Sequence, residues 1–169
     1  SGGTGCRQYR ITGAMMDVRR SFAIVVATFF GAGKFRYASG TAGSLAALPV
    51  IWLIHSTLGN SAVVIFAVLL FFLGIWASRV YIDISGDKDP KPVVIDEVVG
   101  QAIAISFLPV SAVAYIAAFF LFRFFDVTKV WPANWAERRP NQALAVMLDD
   151  VIAGLYAGGV SVLILEFLL

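Results

Sequence analysis

Three long stretches of the chain carry no charge, and they set its architecture. No acidic or basic side chain occurs from Tyr37 to Ser78, a run of 42 residues. A helix needs about 20 apolar residues to cross a bilayer, so this run predicts two helices within 42–78. The turn between them falls at Leu58-Gly59-Asn60-Ser61, and Pro49 lies inside the first helix, where lipid-embedded structures tolerate a kink. The second stretch, Val98 to Phe122, is interrupted by Leu108-Pro109-Val110-Ser111. It predicts either a Pro109-centred pair of helices or one long helix over 93–125. The third begins at Val151 and is broken only by Glu166, giving one helix over 149–169. The fold class is all-α: a polytopic helical membrane protein with about four transmembrane helices.

The N-terminal region has a different texture. Residues 1–14 are Gly-rich and polar without periodicity, and Met15 and Met16 offer alternative starts. We therefore expect residues 1–16 to be a disordered or foreign tail, and 17–169 to form a single integral-membrane domain. Arg19-Arg20-Ser21-Phe22 resembles the opening of a twin-arginine export signal, with Phe22 to Phe30 as its apolar core. No small-residue cleavage site follows, so a short helix lying at the membrane interface is the better expectation.

Composition agrees and removes other classes. Of 169 residues, 59% are hydrophobic and 14% charged, with a mean hydropathy of +0.82. A soluble domain carries about 25% charged residues, so this chain would leave too much apolar surface in water. Thirteen basic residues against eleven acidic ones give +2, no basic excess with which to hold nucleic acid. The single cysteine, Cys6, excludes a disulfide framework and a cysteine zinc site.

Charge placement favours the Pro109-centred hairpin. If the chain reverses at Gly59-Asn60 and again at Pro109, all 13 basic residues fall on one face, with ten of the eleven acids. Basic residues collect on the cytoplasmic side of membranes, so the charged face is expected in the cytoplasm.

Several motifs bear on chemistry. Gly31-Ala32-Gly33-Lys34 suggests a phosphate-binding loop, but Thr28 and Phe35 stand where the first glycine and the final hydroxyl are required. Ser39-Gly40-Thr41-Ala42-Gly43-Ser44 precedes a long helix and offers hydroxyls and backbone N–H groups. It could hold phosphate or simply cap the helix through Thr41 or Ser44. His55, alone in an apolar segment, reads as a hydrogen-bonded packing residue. The small-residue spacing of Gly154 to Gly158 reads as a helix-packing face and leaves the oligomeric state open.

The acids carry more weight. Asp96-Glu97 and Asp149-Asp150 each precede an apolar run, and Asp126 ends another. Carboxylates at membrane borders are costly unless paired, hydrated or bound to a cation. Three segments thus bring five carboxylates to one face, an oxygen donor set that suits Mg²⁺ with room for a phosphate oxygen. Arg123, Asp126 and Lys129 share one face if their helix runs to Val130. They could form a structural ion network, or two cations that hold phosphate around an acid. Trp131-Pro132 and Trp135 read as interfacial anchors and a helix stop.

Four ordered blocks resemble one family. They are Gly40-Thr41-Ala42-Gly43-Ser44-Leu45-Ala46-Ala47, Ile95-Asp96-Glu97-Val98-Val99-Gly100, Phe122 to Lys129 with Trp131-Pro132, and Met147-Leu148-Asp149-Asp150-Val151-Ile152-Ala153-Gly154. Together they resemble the phosphatidylglycerophosphatase A family of bacterial inner-membrane phosphatases over roughly residues 31–160. Ser39, Ile95, Val130 and the segment from Pro140 to Ala145 depart from the family's usual proline, tryptophan, proline and glycine-rich stretch. No charged or hydroxyl group of the four blocks is lost.

The resemblance implies Mg²⁺-dependent hydrolysis of the terminal phosphate of phosphatidylglycerophosphate, a phospholipid held in the bilayer. Asp96, Glu97, Asp149 and Asp150 would be metal ligands. Thr41, Ser44, Arg123 and Lys129 would bind phosphate, and Asp126, Lys129 and Asp150 would be catalytic. Asp126 could position water or attack phosphorus itself. Two rivals are a small cation transporter or channel and a CDP-alcohol-type headgroup transferase. The first would place acids near the midplane or on both faces, and the second would carry its aspartates in one compact block.

Overall fold

The computed structural model describes residues 4–35, 37–87, 90–129, 131 and 142–168, with side chains from Met16 onward. Among these every regular element is a helix. In chain order they are α1 (Thr4–Ala27), a short 3₁₀ turn (Ala32–Lys34), α2 (Ser39–Leu58), α3 (Asn60–Ser85), α4 (Ile95–Ile105), α5 (Ala112–Thr128) and α6 (Gln142–Leu168). Three of them, α2, α3 and α6, are long and apolar enough to cross a membrane. Large apolar side chains such as Leu53, Ile65, Leu69, Phe120 and Leu163 point outward. Such a surface is stable against hydrocarbon and unstable against water.

The boundaries refine the sequence reading. Gly59, at φ 81, joins α2 to α3 where a left-handed turn was required, and Pro49 is accommodated inside α2. The stretch from Val98 to Phe122 is two helices reversing across Ser106 to Ser111, not one. The last helix starts at Gln142, earlier than 149, so Asp149 and Asp150 sit inside it and do not precede it. The first helix begins at Thr4 and runs through to Ala27. Pro132 and Trp135 lie outside the described residues, while Trp131 is exposed and its carbonyl accepts from the Tyr156 hydroxyl at 3.1 Å.

Helix α4 is the centre of the bundle. Nine of its eleven residues are buried, so it is enclosed by α2, α3, α5 and α6, as an all-round apolar helix must be. Lipid tails are as apolar as leucine, so helix association here rests on close packing and interhelical hydrogen bonds. Packing is close enough for backbone contact where α4 crosses α6. A Cβ on Gly154 would overlap the Gly100 carbonyl oxygen and sit 3.1 Å from the Gly100 Cα, and one on Gly100 would sit 2.6 Å from the Asp150 carbonyl. This glycine pair lets two backbones touch directly. Helix α1 packs on α3 through Ala23, Ala27 and Ala77, with the Arg19 guanidinium 5.8 Å from the Trp76 ring centroid.

At the end of the bundle away from the acids, one network ties four helices. His55 Nδ1 accepts from the Tyr115 hydroxyl at 2.9 Å, its Nε2 donates to Asn60 Oδ1, and Asn60 Nδ2 donates to the Ser106 carbonyl at 3.2 Å. His55 is thus the packing residue that its isolation in an apolar run suggested. Tyr115→Phe removes one buried hydrogen bond, worth about 1 kcal/mol. Its thermal midpoint in detergent should fall while activity, which depends on the opposite end of the bundle, persists.

Candidate active site

The N-termini of α2, α4 and α6 meet the C-terminus of α5 around one cleft of about 470 Å³. Its wall includes Ser39, Lys91, Asp96, Glu97, Asp126, Lys129, Gln142, Asp149 and Asp150. Three helix N-termini turn their positive dipole ends towards this end of the bundle, which favours anions there. Asp96 and Glu97 occupy the first turn of α4, where a negative charge is most favoured.

Carboxylate oxygens of Asp96, Glu97 and Asp150 lie within 4.8 Å of one another. Asp96 and Asp150 are buried, and Asp96 Oδ1, Glu97 Oε2 and Asp150 Oδ2 have no hydrogen-bond partner. Three buried carboxylate oxygens that accept no hydrogen bond fit a hard divalent cation such as Mg²⁺. Asp149 lines the same cleft but lies outside this three-residue group, with its Oδ2 3.3 Å from Lys129 Nζ. Successive residues on a helix diverge by about 100°, so Asp149 and Asp150 face different neighbours.

Cations stand beside the acids. Arg123 binds Asp126 at 2.6 Å and reaches 4.0 Å from Glu97, bridging α5 to α4. The expected Arg123–Asp126–Lys129 face is interrupted, because α5 ends at Thr128 and Lys129 adopts φ 46, which swings it towards α6. Gly40 packs against this bridge: a Cβ there would overlap Glu97 Oε1 and sit 3.0 Å from Arg123 Nη1. Thr41 and Ser44 are not in the cleft wall. Ser44 is buried and donates to the Gly40 carbonyl at 3.0 Å, so its hydroxyl is spent within α2. The Gly31 to Lys34 segment is a structural seam. Gly33 leaves room for the Pro92 carbonyl, and Val94 N–H bonds the Ala27 carbonyl at 2.9 Å.

Ser39, from the motif that opens α2, lines the cleft, and so do Lys91 and Gln142, whose polar side chains look in the sequence like ordinary loop or cap residues. Sequence reasoning overlooked Gln101, fully buried one turn beyond Glu97. A lone amide within the apolar run from Val98 to Phe122 was the available signal.

Burial pushes the Asp96 carboxyl up to about 6, and burial with the Asp96 charge beside it raises Glu97 well above the usual range. The folded chain therefore holds protons that the unfolded chain would release. That stability is complete below the ordinary Asp value of 3.8 and is lost as pH climbs through about 6. In EDTA, the thermal midpoint should fall as pH rises from about 4 to about 6.

Apolar helices that carry a buried acidic cluster and cations at one end define a membrane enzyme with its candidate site at that end of the bundle. Comparison with known proteins gives the family. The family model for phosphatidylglycerophosphatase A matches residues 25–165. The chain is 36% identical to phosphatidylglycerophosphatase A of Haemophilus influenzae over 79% of this chain and 82% of that protein. It is 31% identical to phosphatidylglycerophosphatase A of Escherichia coli over 80% of this chain and 79% of that one. A Bacteroides thetaiotaomicron protein with the provisional name phosphatidylinositol-3-phosphatase is 37% identical over 79% of this chain and 87% of its own length. No solved structure matches. The chain belongs to the phosphatidylglycerophosphatase A family.

Proposed function

We propose that the protein hydrolyses the terminal phosphate ester of phosphatidylglycerophosphate, releasing phosphatidylglycerol and inorganic phosphate. The observation that carries this reading is the convergence of Asp96, Glu97 and Asp150 beside Arg123 and Lys129 in a chain of that family. Asp96, Glu97 and Asp150 would hold Mg²⁺, which when bound neutralises charge on phosphate oxygens as a Lewis acid.

The chain's own residues supply the rest. Lys129, oriented by Asp149, would stabilise charge that builds on the phosphoryl oxygens in the transition state. Asp126, clamped through one oxygen by Arg123, keeps its other oxygen to accept a proton from the attacking water. The water oxygen bonds to phosphorus, the ester P–O bond breaks, and the departing glycerol oxygen takes a proton. One water is consumed for each phosphate released.

The same reading inserts the α4–α5 hairpin beside the three spans, its turn at the far side. It places the protein in the bacterial cytoplasmic membrane with the cleft facing the cytoplasm. Arg79, Lys91, Arg123 and Lys129 belong to that charged end, as basic residues on the cytoplasmic side should. The test is phosphate release from phosphatidylglycerophosphate by purified protein in detergent, with Mg²⁺ or with EDTA. Release with Mg²⁺ and none with EDTA supports the reading. No release by folded protein overturns it. A parallel reaction with phosphatidylinositol 3-phosphate tests the headgroup.

A further inference from the structure

A second recess, of about 510 Å³, lies between α3, α4 and α6 and carries no charged residue. Ser106 is the one polar side chain in its wall. Its floor is buried, formed by Ala67 and Val99, while Val64, Phe72, Phe107 and Leu155 at its rim are exposed. The recess is therefore a groove open sideways, on the surface that the apolar exterior turns to lipid.

The groove continues the line of the cleft. Val99 follows Glu97 by two residues, and Val151 directly follows Asp150. On α3, Val64, Ala67 and Phe71 share a stripe with Gly74, Ser78 and Ile82. Ser78 and Ile82 border a narrow recess together with Asp96. At about 1.5 Å per residue, Phe71 lies about 10 Å and Val64 about 21 Å beyond Ser78, deeper into the bundle. Between groove and cleft stands Met147, whose Cε would be 2.7 Å from a Cβ on Gly74. An unbranched thioether is the kind of side chain that yields to a passing ligand.

We propose that this groove holds one acyl chain of the phospholipid whose terminal phosphate occupies the cleft. The inference rests on the lipid-phosphatase reading above and deepens it. In phosphatidylglycerophosphate a glycerol, a phosphodiester and the acylated glycerol separate the terminal phosphate from the first acyl ester. The chain must then begin well below the carboxylates, where the groove runs. Moving an acyl chain from bilayer to groove gains little by itself, because the two surroundings are equally apolar. The groove acts by orientation, fixing the lipid's depth and direction so that its phosphate arrives at Asp96, Glu97 and Asp150.

The test compares dioleoyl phosphatidylglycerophosphate with its water-soluble deacylated counterpart, both with Mg²⁺ in detergent. Val64→Trp and Leu155→Trp fill the groove from its exposed rim, where the fold tolerates bulk. Leu69→Trp, exposed on α3 outside the groove, is the control. The ratio of kcat/KM for the diacyl substrate to that for the deacylated one should fall about tenfold in both groove variants and stay at the wild-type value in the control. An unchanged ratio in the groove variants overturns the groove while leaving the phosphatase reading intact. An equal fall on both substrates does the same, since it marks a distorted site. Wild-type protein that releases phosphate from neither substrate overturns both.

Discussion

Replacing Asp150 by asparagine should abolish phosphate release and yet make the metal-free protein harder to unfold. The side chain keeps its size and its place in α6, so the bundle is unaffected. What disappears is one of three charges whose oxygens lie within 4.8 Å of one another. A divalent cation contributes several kcal/mol of transition-state stabilisation, and each 1.36 kcal/mol is tenfold in rate. Losing a ligand should therefore lower kcat by about a thousandfold. In EDTA the same substitution relieves repulsion among buried carboxylates and should raise stability by on the order of 1 kcal/mol. Mg²⁺ should raise the thermal midpoint of the wild type and have little effect on the variant. Thermal unfolding in detergent with Mg²⁺ and with EDTA, run beside the phosphate assay, measures both effects. A variant that loses activity and stability together would mark Asp150 as a structural residue.

Opposite effects on activity and stability explain why the acids were legible in the sequence. A carboxylate next to an apolar run is expensive, so three such segments in one chain signal chemistry before any fold is known. The hairpin at Pro109 was legible for a related reason, since only a reversal there gathers the charges on one face. Finer placements depend on angles that a sequence does not carry. Asp149 and Asp150 look equivalent as neighbours, yet helical rotation gives one to Lys129 and the other to the α4 acids. Lys129 was placed on a continuing helix face, but the helix stops a residue earlier and the lysine turns away. Ser44 read as a phosphate ligand, and its hydroxyl is taken by a carbonyl one turn back. Helix α6 starts at Gln142, and Gln142 to Leu148, which in the sequence resemble an approach to the helix, are its first two turns.

The glycine crossing was the part least visible in advance, and it governs the site. Glycines are common in membrane helices, and which two meet depends on how the helices cross. Here Asp96 and Glu97 come from α4 and Asp150 from α6, so the cluster exists only if those helices stay at their glycine-permitted separation. Gly154→Ala puts a methyl group into the Gly100 carbonyl, which is backbone and cannot rotate away. The helices must part, and overpacking of this kind costs about 1–3 kcal/mol. A shift of about 1 Å between catalytic groups can cost about a hundredfold in rate, so kcat should fall by that order. Gly159→Ala, on the same helix with nothing within 4 Å of its new methyl, should leave activity unchanged and raise the thermal midpoint slightly. The pair separates helix spacing from the general effect of replacing glycine, since both substitutions favour the helix equally. Full activity in Gly154→Ala would mean that the acids do not act across the α4–α6 contact, and the three-carboxylate site would fall with it.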